Sequence, residues 1–384
     1  MRRLLRIEFF VLFCIANAAH FSFAQTAAPV QIAADLAKAV DSAVQAEMAR
    51  QQAVGVAIGI IRDGRVAYIQ GYGFEDRENN IPVTSRTLFR WASVSKPLTA
   101  IAAVQLAERG CLDLDADVRR YVPEFPDQGV TITCRQLLCH QGGIVHYKNG
   151  RVIRTEREYA CPNPFENVVL ALDTFKESPL IAEPRKKFSY TTHGYILLSA
   201  VVQRAGRQTF ADQVWCRIAC PLGMTTLQPD YQWCEIPHRA TGYRKILGTI
   251  VRSTDTDVSW KLGGGGFISN IEDMALFASG LINGKLISEE SQAMMWTRQA
   301  TSDGQTTKIG LGFFIEQQDG TLKVSHNGSQ EKTRTRLVIY PHRKHGMVLM
   351  TNSEYADPGK FTTAVYKAIS RMSDSDAAKE QVKP

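Results

Sequence analysis

The sequence is short of several things. Beyond its first two dozen residues, no run reaches the ~18 apolar residues that a membrane-spanning helix needs, so no such helix is expected there. No basic stretch alternates with aromatics, which argues against a nucleic-acid surface. The pairs Cys134/Cys139 and Cys216/Cys220 do not have zinc-knuckle spacing. The glycine run Gly263–Gly266 lacks a following Lys-Ser/Thr and a strand–helix–strand context, which excludes a phosphate loop and leaves a loop or strand bordering a cleft. Asp255 and Asp257 lack the partners of a cation loop and read as a solvated turn. Internal repeats and low-complexity tracts are also missing. What remains is ordinary globular composition: 384 residues, 44% hydrophobic and 22% charged.

The N-terminus reads as an export signal. Arg2, Arg3 and Arg6 precede an apolar stretch from Phe9 to Ala19, and Ser22-Phe23-Ala24 supplies small residues for cleavage before Gln25. An uncleaved anchor is the alternative. Phe13 before Cys14 argues against a lipoprotein site. Three Arg and one Glu leave with residues 1–24, which lowers the formal charge from +7 to +5. This reading implies a secreted or periplasmic location. Of eight cysteines, seven remain: Cys111, Cys134, Cys139, Cys161, Cys216, Cys220 and Cys234. Export permits disulfides. Mostly buried thiols are an equal expectation, and the odd number leaves at least one unpaired within the chain.

Gln25–Gln31 reads as a polar linker. Ile32, Leu36, Val40, Val44 and Met48 recur every four residues and predict a helix. Val54–Ile61 and Arg65–Tyr72 are β-rich, and Arg62-Asp63-Gly64 between them predicts a hairpin. Pro97 sits early in a helix that Gly110 stops. Strands return at Lys323–His326, Arg336–Tyr340 and Met347–Thr351, with His342–His345 as a basic hairpin turn. The predicted fold class is α+β. An antiparallel sheet is built from both termini (about 32–90 and 291–372) and flanked by helices, with a mostly helical lobe (about 91–290) inserted. One domain then spans 25–372, and 373–384 reads as a disordered tail.

Three segments could carry chemistry. Ser93-Val94-Ser95-Lys96 opens a helix, so Ser93 and Lys96 share a face. A serine hydroxyl needs such a neighbouring base to become a nucleophile. Taken alone, the tetrapeptide is equally a helix cap and a solvated lysine. In Phe188-Ser189-Tyr190-Thr191-Thr192, the Tyr190 hydroxyl could shuttle a proton, or simply pack. In Val324-Ser325-His326-Asn327-Gly328-Ser329, Gly328 lets a strand approach a ligand closely, and His326 could supply a proton, a hydrogen bond or a charge. His140 and His146 flank Gly142-Gly143 near the same cleft, as substrate-lining or structural groups. Lys148–Lys187 reads as a variable lid that sets specificity.

In this order, the three elements resemble the serine β-lactamase-like hydrolases, a group of class C β-lactamases, D-Ala-D-Ala peptidases and esterases. LDLDADVRRYVPEFP (Leu112–Pro126), LLCHQGGI (Leu137–Ile144), PLGMT (Pro221–Thr225) and GGGGFISNIEDMAL (Gly263–Leu276) are similar as well, so the likeness covers about residues 35–355. Within the group the chain most resembles the mitochondrial serine β-lactamase-like branch of animals, which is protease-like and can form filaments; a secreted relative need not share either property.

The resemblance implies that Ser93 attacks a carbonyl, with Lys96 and Tyr190 as a coupled base. Backbone N–H groups of Ser93 and Ser329 would hold the oxyanion. Tyr190 with His326 would return the proton to the leaving group. Thr192 and Gly328 complete the substrate-binding set. No metal or organic cofactor is implied. The partners implied are a small molecule or peptide, cell-wall material included, and a second copy of the chain is compatible. No nucleic acid is implied, and membrane contact only through an uncleaved signal.

Two departures stand out. Thr192 replaces the Asn of Tyr-x-Asn, and His326-Asn327-Gly328 replaces Lys-Thr-Gly. Both point away from β-lactams toward peptides, D-amino-acid amides or esters. A true β-lactamase and a weakly active or non-catalytic envelope binding or filament-forming protein are the competing readings.

Overall fold

The four-residue apolar repeat forms a helix because it places Leu36, Val40 and Val44 on one buried stripe. The computed structural model describes residues 33–380, and in it this helix, α1, spans Ala34–Gln51. The export segment at 1–24, the linker after it and Cys14 lie outside the described residues.

Strands β1 (Gly55–Arg62) and β2 (Arg65–Asp76) follow as a hairpin. Asp63 and Gly64 take φ of +51° and +72°, the left-handed pair that suits a two-residue turn to strand twist. Next come β3 (Ile81–Pro82), β4 (Phe89–Arg90) and α2 (Ser95–Glu108). Every residue of α2 from Ser95 to Leu106 is buried, so it is a central helix without a polar face. Helices α3 (Cys134–Leu138) and α4 (His193–Gly206) build the lobe. They are followed by β5 (Gln228–Pro229) and the hairpin β6 (Tyr243–Ile246)–β7 (Thr249–Arg252). Then come α5 (Leu262–Gly265), β8 (Phe267–Ser269) and α6 (Ile271–Ile282). Four strands, β9 (Phe314–Gln318), β10 (Thr321–Gln330), β11 (Thr333–Tyr340) and β12 (His345–Thr351), lead to α7 (Pro358–Glu380).

The main sheet has the order β3-β2-β1-β12-β11-β10-β9, which joins both ends of the chain as the strand pattern predicts. Val56, Ile58 and Ile60 of β1 pack on one face with Val40, Val44, Phe361 and Val365 of the terminal helices. Ala57 and Ile61 face the other way, toward Met274, Ala275 and Ala278 of α6. Burial on both faces explains why β1 reads as a continuous apolar run.

Several expectations need correction. Helix α6 falls in the range assigned to the lobe, yet its apolar side covers the main sheet. The lobe range also holds strands β5 and β8, which pair with β4 in a small sheet β4-β8-β5, and much irregular chain. Helix α7 runs to Glu380, into the segment expected to be disordered. Its anchored first turns make each added residue inexpensive compared with nucleation. Positions 381–384 lie outside the described residues. All seven cysteines among the described residues are free. Cys134 and Cys139 are buried, whereas Cys111, Cys161, Cys216, Cys220 and Cys234 are exposed. Neither bridges nor mostly buried thiols describe them.

Candidate active site

The chain leaves β4, crosses Trp91, and makes a tight 3-10 turn at Ala92–Val94 before α2 begins. Ala92 sits at φ +48°, a left-handed conformation that costs an L-residue of order 1 kcal/mol or more. Neighbours hold it there. Thr335 Oγ1 donates to Trp91 O at 2.8 Å, Thr333 Oγ1 to Arg90 O at 3.1 Å, and Trp91 Nε1 to Ser269 Oγ at 2.6 Å. The turn carries Ser93. No side chain caps α2, so Ser93 is not a helix cap.

Lys96 is fully buried rather than solvated. Its Nζ lies 3.1 Å from Ser93 Oγ, 3.3 Å from Thr192 Oγ1 and 2.7 Å from Gly264 O. Burial, with the Lys261 charge nearby, holds its pKa well below the ordinary lysine value. A neutral amine fits these contacts: two N–H groups serve Gly264 O and Thr192, and the lone pair faces the serine hydroxyl.

Tyr190 keeps part of its surface open to the cleft, with its ring centroid 4.9 Å from Lys96 Nζ. Burial raises its pKa and a hydrogen bond with Ser93 opposes that, leaving a protonated phenol at neutral pH. Two histidines position this segment: His140 Nδ1 accepts from Thr191 N–H and His146 Nδ1 from Thr192 N–H, both at 3.2 Å. The His140 ring lies 4.3 Å from that of Tyr190. Tyr195 donates to Leu138 O at 2.8 Å, and His193 stacks on Phe175 at 4.6 Å.

Strand β10 brings in the third segment. It pairs with β11 from Val324 to Gln330, but with β9 only through Ser325. His326, Gly328 and Ser329 therefore lie where no strand covers the β9 side. A Cβ on Gly328 would stand 2.0 Å from Thr335 Oγ1, 2.6 Å from Trp91 O and 3.0 Å from Ala92 Cβ. Only glycine lets β10 press against the turn bearing Ser93. Gly328→Ala is expected to cost at least 2 kcal/mol or so in stability or to displace the turn and cut turnover at least tenfold, read by urea unfolding and ester hydrolysis on one sample. Wild-type values in both would mean that the strand does not abut the turn.

Ser93, Lys96, Tyr190, Thr192 and Gly328 thus converge, and His326 lies 6.3 Å from Tyr190 between ring centroids. Ser329 is exposed, one residue beyond Gly328 on the same open edge. Sequence reasoning missed Gly264 as an acceptor for Lys96. A Cβ there would meet Thr192 Cγ2 at 2.6 Å, so the glycine run serves close packing of α5 on the Thr192 segment. It also missed the buried Arg90–Asp230 pair below the turn. His140 and His146 were weighed, but without their backbone partners.

The buried histidines make stability pH-dependent. Burial holds His146 and His326 down to about 3, His193 to about 4, and His140 well below its ordinary value. Unfolded histidine titrates near 6.5, so below that pH the unfolded chain binds protons that the folded one refuses. Stability is expected to be full above about pH 6.5 and to fall steadily toward pH 3–4. Urea midpoints across that window test it, and an unchanged midpoint from pH 7 to 4.5 would show solvated rings.

Comparison with known proteins gives the family and the fold. Human mitochondrial serine beta-lactamase-like protein LACTB is 29% identical over 336 residues, covering 67% of this chain and 61% of its own length. The chain thus spans about three-fifths of that relative. A penicillin-binding protein of Bacillus subtilis (strain 168) is 26% identical over 327 residues, covering 80% of this chain and 70% of that protein. The D-amino acid amidase of Ochrobactrum anthropi SV3 superposes with a TM-score of 0.74 at 21% identity, over 88% of this chain and 99% of the amidase, a likeness of fold. Residues 40–370 match the Beta-lactamase family, and the chain belongs to that family of serine hydrolases.

Proposed function

We propose that the protein is an exported hydrolase that acts through an acyl-enzyme on Ser93, on peptides, D-amino-acid amides or esters. One observation carries the reading. Lys96 is fully buried, touches Ser93 Oγ at 3.1 Å, and among the described residues pairs with no carboxylate. A structural lysine at that depth would need a counter-charge. A base needs to lose its proton, and this surrounding favours the loss.

In this mechanism Ser93 Oγ attacks the carbonyl and passes its proton to Lys96 Nζ. Opposite shifts separate the two groups: Lys96 is depressed toward a base, and Tyr190 is raised toward an acid. Tyr190 gives its proton to the leaving group and recovers one from Lys96. Backbone N–H groups of Ser93 and Ser329 hold the oxyanion, at ~2.7–4 kcal/mol per donor. Water then attacks the acyl-enzyme by the same route in reverse. The close approach that Gly328 allows supports this placement of β10.

Thr192 already contacts Lys96 and offers one hydroxyl where β-lactamases offer an amide, which supports amides and esters over β-lactams. The basic–apolar–small pattern of residues 2–24 supports export to a secreted or periplasmic location. The test is covalent labelling with a fluorophosphonate, then turnover of p-nitrophenyl esters, D-amino-acid amides, L-peptides and nitrocefin. The expected result is one adduct on Ser93 and faster turnover of esters or amides than of nitrocefin. Folded protein without that adduct would sink the reading, and nitrocefin as the fastest substrate would make it a β-lactamase.

A further inference from the structure

A second buried lysine borders the cleft, and the mechanism above does not use it. Lys261 is 8% exposed and stands three residues before Gly264, whose carbonyl oxygen Lys96 meets. Its Nζ sits 5.4 Å from the centre of the Trp260 ring. Among the described residues its ion-pair partner is Glu331 Oε2 at 3.8 Å, which is longer than a hydrogen bond. Asp257, the other carboxylate within electrostatic reach, already accepts from Ser259 N–H and Ser259 Oγ. The charges of Lys96 and Arg90 press on the same place. A cation this deep calls for a counter-charge that bonds it directly. Glu331 does not: its side chain is half exposed on the turn between β10 and β11. That turn is held through Lys332, whose N–H donates to Glu354 Oε1 at 2.8 Å and whose Nζ pairs with Asp255. The Glu331 side chain can therefore turn away without moving β10.

Strand β10 sets the direction of a bound substrate. Gly328 abuts the turn bearing Ser93, with His326 and Tyr190 toward one end and Glu331 toward the other. Tyr190 serves the leaving group, so the end three residues past Gly328, about 10 Å along the strand, faces the acyl portion. Tyr147 bonds Thr192 and lies within reach of the Glu331 charge, which places Glu331 and Lys261 on the rim beside Thr192. We propose that Lys261 is an acyl-side anchor: its ammonium takes a carboxylate carried on the acyl portion of the substrate, Glu331 turns aside, and the site prefers acyl groups with a free carboxylate over neutral or amine-bearing ones. A substrate carboxylate reaches Nζ directly where Glu331 stops short, and a charge-assisted hydrogen bond is roughly twice as strong as a neutral one. This selectivity rests on the hydrolase reading above.

The experiment measures kcat/KM on the full chain at pH 7.5 for p-nitrophenyl hemiadipate, hemisuberate, hexanoate and 6-aminohexanoate, with buffer hydrolysis subtracted. The better of the two carboxylate esters is expected to exceed the hexanoate at least about fivefold, mostly through KM, and the amine to fall below it. A smaller ratio, or the amine as the best substrate, would overturn the proposal. Lys261→Met is expected to bring the ratio below about twofold, and Glu331→Gln to raise it, because no built-in carboxylate then competes. A ratio retained in K261M, or one that stays or falls in E331Q, would overturn it too. Should K261M fail to fold, the wild-type series and the half-exposed Glu331→Gln change decide. Absence of both ester turnover and a fluorophosphonate adduct on Ser93 removes the hydrolase reading and this one together, whereas turnover without carboxylate preference removes only this one.

Discussion

Ser93→Ala is expected to lower kcat for p-nitrophenyl ester hydrolysis by about 10⁴-fold or more, with the melting temperature nearly unchanged. The change removes one oxygen from a turn that Thr333, Thr335 and Ser269 hold through other atoms. Lys96→Met is expected to cost a similar factor, because the serine then has no proton acceptor within reach. The double variant should be little worse than either single one, since nucleophile and base act as a unit. Lys96→Arg should not rescue activity: a guanidinium does not deprotonate and cannot present one lone pair to Ser93. Steady-state kinetics on the four variants test this. Ser93→Ala with a tenth or more of wild-type activity would place the nucleophile elsewhere.

Asp230→Ala is expected to destabilise the fold by about 3–5 kcal/mol, a fall of roughly 5–10 °C in melting temperature. Asp230 is fully buried and bonds Arg90 Nε, while Arg239 Nη2 lies 2.9 Å away. Arg90 itself is 2% exposed, and its remaining donors go to Thr256 Oγ1 at 3.1 Å and Thr256 O at 2.8 Å. Removing the carboxylate strands a guanidinium in the interior. Activity should fall as well, because Arg90 stands three residues before Ser93 and fixes the strand that enters the turn. Replacing both Arg90 and its partner, as R90M/D230L, is expected to be milder than Asp230→Ala, since the fully buried guanidinium leaves with its carboxylate and only Arg239, 19% exposed, loses a partner. Calorimetry of the two variants tests this. A single variant within 1 °C of wild type would mean that water reaches the pair.

The features legible in the sequence are those with short-range causes. A four-residue apolar period makes α1, and Asp63-Gly64 makes a hairpin, because each depends on neighbours along the chain. The spacing of three brings Ser93, on the turn, next to Lys96, in the first turn of α2, and the order of three short motifs carried the family and the α+β architecture. The parts that escaped depend on distant partners. Gly264 O meets Lys96 across 168 residues, and Asp230 meets Arg90 across 140. No local pattern marks a backbone carbonyl as a ligand or pairs one carboxylate with one guanidinium. The place of α6 on the main sheet and the exposure of five cysteines likewise follow from packing.

The same division holds at the active site. The sequence by itself determined which side chains are candidates for the chemistry, because a nucleophile, a base and a phenol are properties of residue types. Only the tertiary structure decided their state. Burial without a counter-charge depresses Lys96 and raises Tyr190. Protonation depends on the solvent and charges around a group, and those are set by the chain that folds over it.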